Sequence, residues 1–160
     1  MDSPKTKKIT DEKVALVKAE HYCAYQERSQ QEVRDKLYEW GLWTDAVENI
    51  ISLLIGGNYL NEERFAKAYT RGKFKQKGWG RIKIKQGLKL KKVPDVLIKK
   101  ALLTIDGDDY LRTLEAVLTK KAKTLAEKDS YKRSYKLQQY ALSRGFEADL
   151  ILDVLKGMGD

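Results

Sequence analysis

The sequence predicts an all-α protein of three tandem three-helix units forming an elongated, curved helical-repeat body. Three observations predict it. Apolar residues recur at helical rather than alternating spacing, and Ala, Leu, Lys, Glu and Gln fill most segments. Residues that start and stop helices punctuate the chain at short intervals. One pattern of apolar positions also occurs three times, about 52 residues apart.

The repeat is anchored at Gly41, Lys92 and Gly145. Eight residues before the anchor stand Val33, Ile84 and Leu137; four before stand Leu37, Leu88 and Ala141. Leu42, Val93 and Phe146 follow the anchor directly, and Val47, Ile98 and Ile151 come six after it. Nine and ten after it are Ile50-Ile51, Ala101-Leu102 and Val154-Leu155. Two amphipathic helices joined by a fixed turn produce this pattern. A further helix precedes each copy. A unit of ~50 residues lies near the lower limit for an independent core, so neighbouring units are expected to lean on each other. A single helical bundle with shared spacing is the competing architecture.

In chain order, Thr10-Asp11-Glu12 supplies a cap and two acids for a helix from about Glu12 to Gln26. Ser29-Gln30-Gln31-Glu32 is a capping box, in which hydroxyl and carboxylate satisfy each other's backbone N–H groups. Gly41 ends that helix and Thr44-Asp45 opens the next, which stops at Gly56-Gly57. Asn61-Glu62-Glu63 caps a helix reaching Lys77. Gly78-Trp79-Gly80 makes a tight turn, with Trp79 either pinned in the core or presented outward. Pro94 suits a first helical position, where its missing N–H costs nothing. Asp106-Gly107-Asp108-Asp109 leads into a helix from Asp108 to about Glu127, and Gly145 ends the one after it. The expected division is an N-terminal tail over 1–11 and units over 12–58, 59–105 and 106–160.

Charge is unevenly placed. The chain carries 32 Lys/Arg against 23 Asp/Glu, a net charge of +9. Between Phe65 and Pro94 there is no acid, while Lys67, Arg71, Lys73, Lys75, Lys77, Arg81, Lys83, Lys85, Lys89, Lys91 and Lys92 are all basic. Residues 120–136 hold a second basic stretch, including Lys128, Lys132 and Arg133. Like charges this dense repel one another, and a surface selected only for stability would interleave carboxylates. An anionic docking partner is expected, either phosphates or an acidic protein groove; charge alone does not separate the two. The candidate binding residues are Arg71, Lys73, Lys75, Lys77, Arg81, Lys83 and Lys85, with Trp79 as an anchor and Lys128, Lys132 and Arg133 as a secondary patch.

Catalytic chemistry is not expected. His21 and Cys23 are the sole histidine and cysteine, too few for a metal set or a disulfide framework. Asp108 and Asp109 do not share a helical face. Gly78 and Gly80 lack the Gly-Lys-Ser/Thr of a phosphate-cradling loop. The longest uncharged apolar run, Ile50 to Ile55, is too short to span a bilayer, and the first ten residues lack the apolar stretch of a secretory signal. A soluble, intracellular, cofactor-free protein with no membrane contact is expected.

These residues resemble the RecX family of bacterial recombination regulators. Arg28-Ser29-x-x-Glu32-Val33, Lys36-Leu37 and Gly41-Leu42 are similar to the family's opening pattern. Tyr59-Leu60-Asn61-Glu62-Glu63-Arg64-Phe65-Ala66, Tyr69, Lys77-Gly78-Trp79-Gly80 and Ile84 resemble its most specific stretch. Tyr140-Ala141-Leu142-x-Arg144-Gly145-Phe146 and Ile151 resemble its close. Arg81 stands where the family often has Pro, and Lys92 where a Gly usually ends the helix. The resemblance implies three tandem three-helix units in a cytoplasmic protein. It also implies binding of the RecA recombinase along its filament on DNA, restraint of ATPase and strand exchange, and in some members contact with single- or double-stranded DNA.

Two other functions fit the residues. One is a basic helical DNA-binding protein without recombinase regulation, although only Gln76 and Gln86 approach the residue types that read base edges. The other is a helical adaptor with no link to DNA.

Overall fold

The computed structural model describes residues 11–159; the expected contribution of Thr10, all of the expected 1–11 tail but Asp11, and Asp160 lie outside them. Nine helices form among the described residues: α1 (Glu12–Tyr25), α2 (Gln30–Glu39), α3 (Thr44–Gly56), α4 (Glu62–Lys77), α5 (Arg81–Leu90), α6 (Asp95–Leu102), α7 (Gly107–Thr124), α8 (Ser130–Ser143) and α9 (Ala148–Gly157). They group in threes, and the close helix pairs fall within a unit: α1 to α3, α4 to α6, and α7 to α9.

Side chains supply most of the helix starts. Asp11 accepts the Lys13 N–H at 2.8 Å. Ser29 Oγ accepts from Glu32 N–H while Ser29 N–H donates to Glu32 Oε1, so the predicted capping box is present. Asn61, Asp106 and Asp129 accept from Arg64, Asp109 and Lys132 N–H in the same way. Thr44 opens α3 as expected, with Trp43 as a cap that makes no side-chain bond. Boundaries differ from expectation in two places. Pro94 caps α6 instead of opening it: its backbone is extended, with ψ 144°, and its carbonyl already accepts from Leu97 and Ile98. Helix α7 ends at Thr124, short of Glu127, and the Arg133 guanidinium takes up the carbonyls of Ala122 in its last turn and Leu125 just past it.

The three anchors adopt one turn. Gly41, Lys92 and Gly145 have φ of 93°, 59° and 95°, all left-handed. In each copy the anchor N–H bonds the carbonyl three residues back, at 2.9, 2.9 and 3.0 Å. The next N–H bonds the carbonyl five back: Leu42 to Leu37, Val93 to Leu88 and Phe146 to Ala141, each at 3.2 Å. This is the Schellman closure with its apolar contact, and all six of those side chains are buried. The end of α3 uses the same closure, with Asn58 rather than Gly56 or Gly57 in the left-handed position.

Apolar burial follows the repeat. The compared positions are buried except Leu102 and Val154, which are half-buried. Two cores result. The first collects Ala15, Val33, Leu37, Val47, Ile50, Leu54 and Leu60 from unit 1 and the residues leading out of it. The second runs without a break from Phe65 through Ile84, Tyr110 and Leu137 to Leu155. Units 2 and 3 therefore share one interior.

The two junctions are built differently. At the second, Gly80 N–H donates to Arg144 O at 2.8 Å and Ile82 N–H to Gly145 O at 3.0 Å. Tyr110 is fully buried there, with the rings of Phe74 and Phe146 at 5.9 and 5.2 Å. At the first, the contacts are polar. Arg64 Nε donates to Glu27 Oε1 at 2.5 Å, Gln30 N–H donates to Glu62 Oε1 at 2.9 Å, and Lys91 lies 3.9 Å from Glu32.

Candidate docking surface

The Gly78-Trp79-Gly80 turn organises the basic segment. Gly78 ends α4 with φ 65°, and Gly80 starts α5 against the backbone of unit 3. Trp79 is held half-buried on the shared core, so neither simple alternative from the sequence describes it. Lys73 Nζ from α4 sits 4.8 Å from the Trp79 ring centroid, and Lys83 Nζ from α5 sits 4.6 Å from it. Lys73 also lies 5.4 Å from the Tyr69 ring. Two ammonium groups attracted to one indole form a compact cationic patch.

Most of the basic segment lacks an acidic partner. Among the described residues no carboxylate comes within 4.0 Å of Arg71, Lys73, Lys75, Lys77, Lys83, Lys85, Lys89 or Lys92. Lys67 pairs with Glu63 and Lys91 with Glu32. The unpaired ones are exposed except Lys73 and Lys83, which are half-buried, and unpaired cations keep their field available to an anionic partner.

The predicted residues do not all share a face. Lys73, Trp79 and Lys83 come together, and Lys77 joins Lys73 along a cleft between units 1 and 2 that also holds Gln76 and Lys91. Arg71 is exposed on α4. Lys75 faces a depression shared with Asp109 and Arg112 of α7. Lys85 lies along the groove between α5 and α6. Arg81 is engaged in the second junction: its guanidinium lies 3.8 Å from the Tyr110 ring centroid and donates to Glu147 Oε2 at 2.8 Å. In the secondary patch, Lys128 and Lys132 are exposed. Arg133 donates to Ala122 O at 2.7 Å and to Leu125 O at 3.4 Å, closing α7.

Sequence reasoning missed the hub that orients the turn. Tyr110 Oη donates to Glu147 Oε1 and accepts the Arg81 N–H. Burial first, and then the bond to Glu147, push the Tyr110 phenol well above its usual range. Arg144 donates to the Lys77 carbonyl, tying α8 to the end of α4. Arg144 did carry a signal, standing in the Arg-Gly-Phe of the third repeat; Tyr110 stands at an apolar-face spacing that marks it for packing only, and Glu147 carried none.

Among the described residues no group of three His, Cys, Asp or Glu is placed to hold a metal ion, and no helix is long and apolar enough to cross a membrane. His21 is exposed. Cys23 is buried, and burial pushes its thiol up to about 11.

Comparison with known proteins accounts for the repeat. The descriptions "RecX, first three-helix domain", "RecX, second three-helix domain" and "RecX, third three-helix domain" match residues 15–54, 61–102 and 108–155 in turn. The chain is 33% identical over 131 residues to "Regulatory protein RecX" of Clostridium perfringens strain 13, covering 81% of this chain and 61% of that relative. It thus spans less than two thirds of that protein's length. The like-named protein of Prosthecochloris aestuarii is 30% identical over 146 residues, covering 91% of this chain and 94% of its own length. The solved structure of RecX from Lactobacillus salivarius superimposes with a TM-score of 0.84 at 24% identity, over 92% of this chain and 96% of that one. Three family domains in order, each on three helices closed by the same turn, establish that the chain belongs to the RecX family.

Proposed function

We propose that this chain is a regulatory protein that binds the RecA recombinase filament on DNA and restrains its ATP hydrolysis and strand exchange, thereby modulating recombination and DNA repair. The observation that carries the reading is the patch of Lys73, Trp79 and Lys83. Two unpaired ammonium groups flank an indole on the block formed by units 2 and 3, which share one core. Such a site offers long-range attraction and a short-range anchor together. Three units in tandem, the last two sharing one interior, suit an elongated body that touches several filament subunits. By binding one filament state better than another, it would shift the filament between states. A role on such a filament places the protein in the cytoplasm.

The test is ATP hydrolysis by RecA on single-stranded DNA, titrated with the wild-type protein and with Lys73→Glu/Lys83→Glu. The double variant is expected to need about tenfold more protein for equal inhibition, with an unchanged helical circular dichroism spectrum. Equal inhibition by both proteins removes the site assignment; no effect of the wild type on hydrolysis removes the function. The same unpaired cations fit phosphates, so a DNA-binding protein without recombinase regulation is the second reading. It predicts oligonucleotide binding with a steep salt dependence and no change in ATP hydrolysis.

A further inference from the structure

Helices α5 and α6 enclose a groove of about 460 Å³ on the side of α5 away from Trp79. Successive residues turn by 100°, so Lys85 and Lys89 fall roughly 200–240° around α5 from Lys83. The groove floor is aliphatic: buried Ile98, half-buried Leu102 and Ile105, and Leu103, which is 75% exposed at the end of α6. Lys85, Lys89 and Lys99 rim it. Among the described residues none of the three has a carboxylate within 4.0 Å. Asp95 is the one acid along the lining, and Arg81, at one end, is already held by Glu147.

We propose that this groove docks an acidic amphipathic peptide segment of a partner protein. Its two chemistries require two from the occupant. An aliphatic floor left open to water is covered profitably only by apolar side chains. Three unpaired lysines around that floor select carboxylates over ammonium groups. A segment in which Asp or Glu alternates with Leu or Phe supplies both. Nucleic acid supplies only the charge: no aromatic side chain lines the groove, so bases find no stacking platform. The site is separate from the Trp79 patch and stands whether or not that patch binds a recombinase.

Fluorescence anisotropy tests the proposal with a short dye-labelled peptide in which Glu and Asp alternate with Leu and Phe. A matched peptide with Ser in place of Leu and Phe, and an unlabelled oligothymidine competitor, complete the set. The full chain is expected to bind the amphipathic peptide at least about tenfold more tightly than its Ser counterpart. Lys85→Glu/Lys89→Glu/Lys99→Glu and Leu103→Asp should each weaken it about tenfold, whereas Lys73→Glu/Lys83→Glu should not. The substituted groove side chains are exposed, Lys73 and Lys83 are half-buried, and circular dichroism verifies that each variant is folded. Absent binding by the wild type, equal affinity for the two peptides, insensitivity to both groove variants, or displacement by oligothymidine would each overturn the proposal.

Discussion

Gly80 and Gly145 lie backbone to backbone where units 2 and 3 meet. A methyl group added to Gly80 would fall inside contact distance of the Gly145 carbonyl, and one added to Gly145 would meet Lys83 N at 2.6 Å. Backbone on both sides leaves no flexible side chain to move aside. Gly80→Ala is therefore expected to cost about 3 kcal/mol, at the upper end of overpacking penalties. Urea denaturation measures it. A loss below about 0.5 kcal/mol, the range of a neutral surface change, would contradict the close approach.

Lys92 bears a Cβ in the conformation that Gly41 and Gly145 adopt freely. Relief of that crowding outweighs the extra chain entropy of glycine, so Lys92→Gly should stabilise the protein by about 1 kcal/mol. For a chain of this size, that raises Tm by roughly 2–4 °C. Removing a positive charge from a crowded basic segment acts in the same direction. A lowered Tm in a thermal melt would refute the prediction.

Cys23 ties stability to alkaline pH. Folding raises its thiol from 9.0 to about 11, mainly by burial. The folded state therefore favours the proton. That contribution is fully present below pH 9 and is lost as pH rises toward 11. Tyr22, Tyr69 and Tyr110 are also raised by burial and push the same way at higher pH. Between pH 8 and pH 10 the wild type should lose on the order of 1 kcal/mol more than Cys23→Ala. Urea titrations at the two pH values compare them, and parallel losses would refute it. Iodoacetamide should label Cys23 slowly in the folded protein and quickly in denaturant.

Arg64 holds the first junction. It binds Glu27 of unit 1, and it donates to Asn58 Oδ1 at 3.1 Å and to Asn58 O at 3.0 Å. Among the described residues the two cores stay separate on this side, with Leu60 the last residue of the first and Phe65 the first of the second. Arg64→Ala should cost only about 1 kcal/mol globally, since half-exposed ion pairs contribute little. It should, however, broaden the distance distribution between spin labels on α1 and α5. Labels on α5 and α8 should be unaffected. An unchanged α1–α5 distribution would show that other contacts fix unit 1.

The helices and their closing turns were legible because both are local. A capping box spans four residues, and the anchor turn with its apolar pair spans six. The same locality explains the errors at Pro94 and Asn58. A proline at a cap and one at the first helical turn read alike, and Asn58 follows two glycines that draw attention first. The second junction was not legible. Arg81, Tyr110 and Glu147 are separated by 29 and 37 residues, and nothing in their neighbours marks them as partners. The basic segment was legible as charge but not as geometry. Residues 73 and 83 lie on different helices, and the turn around Trp79 brings them to one indole while sending Lys85 to the far side. Arg133 looked like an exposed cation; the unsatisfied carbonyls that claim it appear only once α7 has ended.

The separate interiors bear on how the chain matures at the ribosome. Every residue of the first interior has been synthesised once Leu60 is in place, so unit 1 can collapse while later codons are still being read. The second interior stays incomplete until Phe146, Ile151 and Leu155 have been added in their turn. Its middle helices, the most cationic of all, must therefore wait with their greasy sides uncovered, and early termination would leave them stranded in that state.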